Sequence, residues 1–464
     1  MVPSTRQPVP TGNVRAHQPK RSMPMVQLRI LLLAAFCCGP LNAADPSSFA
    51  ITDVRLFDGA AVHERATVVV TGEIITAVYT GAVPDLADDI TLIDGIGYTL
   101  LPGLIDSHVH VWEEKYLSEP PRFGVTTVLD MAFPDPKPAN ALQATRGKPE
   151  YAHYADYYSA VISPTTPGGH GTEPEVGMEY PLIRYPYEAD EFIAARVAEG
   201  SDYIKITLET GLPFRPLTWV PPSTLKAMIE ATHRNDMLVV AHITDPDIAL
   251  FAIESGIDGL VHIWGPRVNG AARPDIAAAA RRAGTFFVPT LTVYEHVYGT
   301  ATGGQSLVDD PDIGPRLGEE AIKTLTTQYP PETRYDRLLL SPSAEAEIAW
   351  KMIVAATRSL YDGDVRLLAG TDPANLGTWY GPSMHREMEL LVDQVGMQPV
   401  EVLTAATSAV ADSFRLYDRG YITPGLRADM FLVQGNPTVR IKDSRKIARV
   451  WKAGTALQSD WLYE

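Results

Sequence analysis

A chain of 464 residues is too long for one small core and suits one large α/β unit with an accessory domain. Its 45% hydrophobic and 20% charged residues match an ordinary globular protein rather than a disordered or membrane-embedded one. A formal charge of −17 excludes nucleic acid or an anionic membrane as a partner attracted by the net field.

The first 44 residues differ from the rest. Arg6, Arg15, Lys20, Arg21 and Arg29 precede an apolar run from Ile30 to Cys38, no acid appears before Asp45, and Ala43 and Ala44 follow the run. A basic start, a short apolar run and small residues read as a secretory signal over 1–44. The run is about half of the ~20 residues that cross a bilayer, so it reads as a removable signal and not an anchor. Met23 or Met25 as the start gives a signal of more usual length. Loss of the five basic residues takes the charge to about −22 and removes Cys37 and Cys38, the only cysteines. What remains has no disulfide and no thiolate ligand. The expected location is periplasmic or secreted, without membrane attachment, and the expected partner is a small-molecule substrate. Assembly into a homo-oligomer is left open.

Residues 45–100 read as short strands, from the alternation in Ile51–Leu56 and the β-branched run Ala66–Val70. Residues 420–464 are strand-rich again, through Met430–Val433 and Ala448–Trp451. Between them, over 101–419, eight apolar strand candidates alternate with helical segments. They are Leu104–His108, Val125–Leu129, Tyr157–Ile162, Tyr203–Leu208, Leu238–His242, Gly259–Ile263, Phe286–Leu291 and Val365–Ala369. That alternation predicts a parallel (β/α)8 barrel of the TIM type. The Gly-, Pro- and acid-rich stretch 299–342 after the seventh strand is long enough to be a lid or insertion.

Histidines and one lysine mark the strand ends. In His108-Val109-His110, period two turns both imidazoles to one side, where they can chelate a divalent metal; a structural pair is the plain alternative. In Tyr203–Thr207 the same period places Lys205 opposite Ile204 and Ile206. The isoleucines suit packing against outer helices, which sends Lys205 towards the barrel axis. A lysine held there needs a carboxylate partner or a lowered pKa, and a neutral amine can take up CO2 to become a carbamate. His242 and His262 each close an apolar strand, and Asp372 follows the eighth. Asp372 alone would read as a helix N-cap. Together the six groups sit at the carboxyl ends of five strands, the face where barrels carry active sites.

The segment Leu101-Pro102-Gly103-Leu104-Ile105-Asp106-Ser107-His108-Val109-His110 resembles the signature of binuclear, metal-dependent amidohydrolases. The order of two His, a Lys, two single His and an Asp is also theirs, and Gly420–Met430 is similar to that superfamily's return strand region. Gly168-Gly169-His170-Gly171 and His385–Leu391 are similar to its imidazolonepropionase-like and Xaa-Pro dipeptidase-like subgroup. The resemblance runs from Phe49 to Leu457. It implies that the two terminal strand regions form one small β-sandwich beside the barrel. It further implies two divalent ions, with Zn2+ suited to the nitrogen and oxygen donors. His108, His110 and Asp372 would hold one ion and His242 and His262 the other, with carboxylated Lys205 and a hydroxide between them. Asp372 would carry the proton from the attacking water to the leaving amine. His170, Tyr294, Arg184 and Arg215 are candidates for substrate contact, the arginines through a substrate carboxylate; pairing with acids such as Glu188 or Glu209 is their alternative. The short segment between His110 and Gly124, and Leu129 where the subgroup often has Arg, depart from the pattern beside the mouth.

The expected reaction is hydrolysis of an amide, in a dipeptide or N-acyl amino acid. Esters, lactones and carbamates share the same carbonyl chemistry. A one-metal deaminase or cyclic-amide hydrolase has no use for a bridging Lys205, and a non-catalytic scaffold would have lost ligands. Two, one or no bound ions per chain separate these three. As to location, N-terminal sequencing of secreted or periplasmic protein should find a start near Ala44 or Asp45; intact residues 1–43 on cytoplasmic protein would contradict export.

Overall fold

In the computed structural model, residues 48–457 are described except 134, 173–180, 213–214, 266–271, 299–302 and 329–341. The signal-like segment 1–44 lies outside the described residues. The alternation in Ile51–Leu56 becomes strand β1 (Ser48–Phe57), paired antiparallel with β2 (Val62–Thr71), which pairs with β3 (Ile74–Thr80). Along its other edge β1 runs parallel to β4 (Thr91–Asp94) and then β5 (Tyr98–Pro102).

The chain then enters its parallel strands. β6 (Leu104–Val109), β7 (Val125–Asp130) and β8 (Asp156–Ser159) form one parallel set. β9 (Ile204–Leu208) is followed by a two-residue hairpin, β10 (Gly211–Leu212) and β11 (Arg215–Pro216). β12 (Val239–Ile243), β13 (Gly259–Val261) and β14 (Phe286–Val288) complete a second parallel set with β9. Further bonds join the two sets. Asp202 N donates to Ser159 O (2.8 Å) and Thr207 N to Pro164 O (3.1 Å). On the far side Phe287 N donates to Arg366 O (2.9 Å), Leu368 N to Phe287 O (2.8 Å) and Ser107 N to Ala369 O (3.1 Å). The segment 366–369 thus lies between β14 and β6, although only Leu367 makes a bridge with Phe287.

Several predicted strands run longer than the observed ones, for a common reason. The third ends at Ser159, and Val161 has φ 55°; the sixth ends at Val261, and His262 has φ 72°; the seventh ends at Val288, and Thr290 has φ 52°. A left-handed residue breaks the regular ladder: inside β1 Asp53 (φ 53°) coincides with a shift of register, and at these three ends the pairing stops. After Thr290 a helix begins at Leu291, where strand had been expected. Within the stretch 299–342, expected to be a lid or insertion, Gly303–Val308 and Glu319–Thr326 are helical.

Helices between the strands use local signals: Pro222–Arg234, Pro246–Glu254 and Pro274–Ala283 each open with proline, and the Asp245 carboxylate accepts from Asp247 N and Ile248 N. Two apolar layers result. Ile204, Ile206 and Leu208 share a cluster with helix residues Met228 and Ile229, whereas Ile105, Leu129, Val240, Val261 and Val288, one from each of five strands, form another with Leu368 of the segment 366–369. The period-two reading of β9 therefore holds: its isoleucines meet helices, and Lys205 lies beside Val240 in the opposite phase.

The chain returns through β15 (Met430–Gln434), antiparallel to β5, then β16 (Ile447–Lys452) and β17 (Thr455–Ala456). The two terminal regions so complete one hydrogen-bonded sheet of eight strands. Its core joins Ile51, Leu56, Val68 and Val70 to Met430, Leu432 and Trp451. Among the described residues no helix is long and apolar enough to cross a membrane.

A buried ion cluster ties this sheet to the parallel strands. Asp156, at the start of β8, accepts from Arg419 (2.7 Å) and Lys452 on β16 (2.6 Å), with Arg427 at 3.3 Å. Burial alone would raise the Asp156 carboxyl, but Arg419, Lys452 and Arg427 outweigh it and hold it well below the usual carboxylate range. Asp156→Asn leaves two buried cations short of a partner and should destabilise the fold by about 3–5 kcal/mol at pH 7 in chemical denaturation. A depressed native pKa contributes stability above the unfolded value of about 3.9 and loses it as pH falls. The gap between wild type and variant should therefore narrow below about pH 4; a gap that stays constant to pH 2 would show that the ionised carboxylate is not its source.

Candidate metal centre

His108 lies near the end of β6 and His110 just beyond it; Lys205 is on β9, His242 on β12, His262 directly after β13, and Asp372 follows the segment 366–369. The fold brings all six to one region. His108 Nε2 is 3.4 Å and His110 Nε2 3.5 Å from Asp372 Oδ1, and His262 Nδ1 is 4.0 Å from Asp372 Oδ2. The His262 ring lies 4.7 Å from that of His108 and 4.6 Å from that of His242. One donor atom each from His108, His110 and Asp372 lie within 4.8 Å of one another.

Local backbone explains this convergence. Asp372 has φ 56° and His262 φ 72°, conformations that bulky residues adopt only where surroundings enforce them. Gly370 lets the segment press against β6: a Cβ there would stand 2.6 Å from Val288 Cγ1 and 2.9 Å from His108 N. Asp106 then clamps both halves, accepting from His108 N (3.2 Å), Thr371 N (3.0 Å) and the Thr371 hydroxyl (2.5 Å). Asp130 secures the loop after His110, through Val111 N (2.9 Å), Ala132 N (2.9 Å) and the Tyr157 hydroxyl (2.9 Å). Glu387 accepts from Leu291 N (3.0 Å), Thr292 N (2.8 Å) and the Thr292 hydroxyl (2.7 Å), fixing the turn that carries Thr290.

Electrostatically the region is dominated by desolvation. Burial, then the charges of His262 and Lys205, hold His108 far below the ordinary histidine range; burial, then Lys205, lowers His110 to about 3. Both are therefore neutral donors at pH 7. Burial lowers Lys205 to about 8 against the opposing pull of Asp372 and Asp130. Burial likewise raises Asp372 to about 7, against the pull of Lys205. Both ring nitrogens of His108 and Oδ1 of Asp372 are buried and make no hydrogen bond in the structure. Unmade hydrogen bonds of buried polar atoms cost about 1–3 kcal/mol each, so such a group calls for a ligand that uses its lone pairs.

The expected substrate residues are arranged unequally. The His170 ring is exposed and lies 5.9 Å from that of His242, nearly parallel to it. Tyr294 is 6.3 Å from the His262 ring, but its hydroxyl donates to Ile263 O (2.8 Å). Arg184 is exposed, with its backbone N–H on Glu188 (2.8 Å). The side chain of Arg215 lies outside the described residues.

Glu209 corrects the sequence reading. Considered there only as a surface partner for arginine, its side chain is 13% exposed and lies 3.1 Å from His242 Nε2. Asp106, Asp130, Glu387 and Thr290 were not singled out either. Asp106 sits in the Leu101–His110 signature and Glu387 in His385–Leu391, so both positions were legible; Asp130 and Thr290 reach the region only through the fold.

A model of the amidohydrolase family matches residues 99–457. Imidazolonepropionase of Nocardia farcinica is 35% identical over 101 residues, covering 21% of this chain and 26% of that one. Ochratoxinase of Aspergillus niger is 22% identical over 278 residues, 58% of this chain and 48% of that one. These matches span about a quarter to a half of the relatives' own length. A solved Xaa-Pro dipeptidase with bound methionine superposes with a TM-score of 0.68 at 22% identity, over 89% of this chain and all of that one. A family match across most of the chain, over the same residues that carry the cluster, places this protein in the amidohydrolase family.

Proposed function

We propose that this protein is a metal-dependent hydrolase that cleaves an amide bond, holding two divalent ions at the mouth of a (β/α)8 barrel. The bonds that link its two parallel sets through 160–164 and 366–369 support the closed barrel, and the joined terminal sheet supports a small β-sandwich beside it. One observation carries the function: three buried donor atoms of His108 and Asp372 make no hydrogen bond, within reach of His110. The residues fit a metal. Neutral imidazoles and carboxylates without sulfur suit Zn2+, and also Mn2+ or Co2+.

In this reading His108, His110 and Asp372 hold one ion, and His242 and His262 hold the other. Lys205 would complete the set as a carbamate, formed if its neutral amine makes an N–C bond to CO2 and releases a proton, leaving a carboxylate. Its lowered pKa and its burial, with Asp372 and Asp130 near enough to pull against it, support this. When bound, the ions lower the pKa of water and polarise the scissile carbonyl. Asp372, raised by burial to about 7, is suited to take a proton near neutrality and return it to the leaving amine. His170 would donate to the substrate carbonyl; its exposed ring 5.9 Å from that of His242 supports this. Tyr294 contributes through the backbone of Ile263, or directly if its hydroxyl turns. Arg184 and Arg215 would grip a substrate carboxylate, as in a dipeptide or N-acyl amino acid, and the solved dipeptidase of similar fold is in line with that class. The protein would act after export, in the periplasm or outside the cell.

His108→Ala should lower turnover on the order of 100-fold or more, since Lewis-acid stabilisation is worth several kcal/mol, and should reduce bound metal in elemental analysis. In Lys205→Ala a short carboxylic acid should restore part of the lost activity by supplying the bridging oxygens. Full activity of chelator-treated, metal-free protein would end the metal reading.

Substrate charge can be decided separately by comparing an N-acyl amino acid with its methyl ester. A gripped carboxylate predicts that the neutral analogue loses about 10-fold or more in kcat/KM, the worth of one charged hydrogen bond. Equal or faster turnover of the ester would point to neutral amides, esters or carbamates.

A further inference from the structure

Lys205, Thr207 and Glu209 lie on one face of the β9 segment, by the period of two. Lys205 is opposite Val240 and Thr207 opposite His242, so Glu209 stands one step beyond His242 at the carboxyl end of the strands. Its Oε2 lies 3.1 Å from His242 Nε2, and its Oε1 accepts from Gly211 N at 2.7 Å. Gly211 N–H and His242 engage both of its oxygens, the setting in which a carboxyl is an acceptor-only carboxylate.

An ionised carboxylate only accepts hydrogen bonds, so the nitrogen facing it must carry the proton. In neutral imidazole the other nitrogen then bears the free lone pair. For His242 that nitrogen is Nδ1. The second histidine of the pair is held differently. His262 Nδ1 lies 2.9 Å from the Thr290 hydroxyl, which can donate or accept and so imposes no tautomer.

We propose that Glu209 is a positioning residue: it fixes His242 as the Nε2–H tautomer, presents Nδ1 to the second ion, and thereby sets the affinity for that ion without touching it. The inference rests on the two-ion function proposed above. It also assigns the carboxylate a second duty, since the same group anchors the β10–β11 hairpin through Gly211. Arg215, a candidate for substrate contact, belongs to that hairpin, so Glu209 links the metal side to one candidate substrate loop.

The variant that separates the two duties is Glu209→Gln. Its amide oxygen can still accept from Gly211 N, which preserves the hairpin. Its amide nitrogen then faces His242 and requires an acceptor at Nε2, which moves the imidazole proton to Nδ1 and closes the nitrogen meant for metal. Two measurements decide. The first is the 15N shifts of His242 in metal-free protein: Nε2 protonated in wild type and Nδ1 protonated in Glu209→Gln. The second is Zn2+ titration by calorimetry, where the variant should bind the second ion about 10–100-fold more weakly and the first ion unchanged. A variant that takes both ions with wild-type affinity overturns this inference alone, as does a wild-type His242 protonated on Nδ1. A wild type that takes up only one ion overturns the two-ion function, and the metal half of this inference with it.

Discussion

The structure depends on withholding water from a group of polar side chains that would otherwise be strongly hydrated. His108, His262, Lys205 and Asp372 are all buried, and desolvation is the largest influence on each of them. Burial keeps the histidines neutral, weakens the lysine as a cation and weakens the aspartate as an acid. These are the protonation states a metal-binding and proton-transferring site needs near neutral pH. The same burial is costly in the free protein, because His108 and Asp372 have donor atoms that no hydrogen bond satisfies. Binding an ion would recover that energy, and so would stabilise the fold as well as enable chemistry.

Such a group holds its place only if its backbone is held. Asp106, Asp130 and Glu387 do so as three buried acids, each taking two or three N–H or O–H donors from the turns that carry the donor residues. Burial, opposed by these bonds, leaves each carboxyl at about 7. The left-handed residues His262, Thr290 and Asp372 stand beside or within these turns. Strain of this kind costs on the order of 1–3 kcal/mol per residue and persists because neighbouring bonds over-determine it. Glu209 differs from the other acids in facing an imidazole, that of His242, as well as the backbone N–H of Gly211.

The terminal sheet contributes at the opposite end. Asp156 opens β8, so the ion cluster it forms with Arg419, Arg427 and Lys452 lies at the amino ends of the parallel strands, away from the histidines. The buried ion pairs and the His108–His110–Asp372 cluster thus lie at opposite ends of the parallel strands.

The sequence by itself determined the alternation of strands and helices, the inward phase of Lys205 and the order of the six polar groups. These depend on periods of two and 3.6 and on short motifs, which are local properties of the chain. It also carried the resemblance to the amidohydrolases, because Leu101–His110 is contiguous. Only the tertiary structure decided where strands stop, since Val161, His262 and Thr290 turn left-handed under constraints from other segments. It alone paired Glu209 with His242, 33 positions apart, and Glu387 with Leu291, 96 apart. It also joined Asp156 to Lys452, 296 apart. A carboxylate in a sequence reads as surface by default, because burying a charge without a partner is prohibitively costly. The partners that make burial affordable are far along the chain, so only folding reveals them.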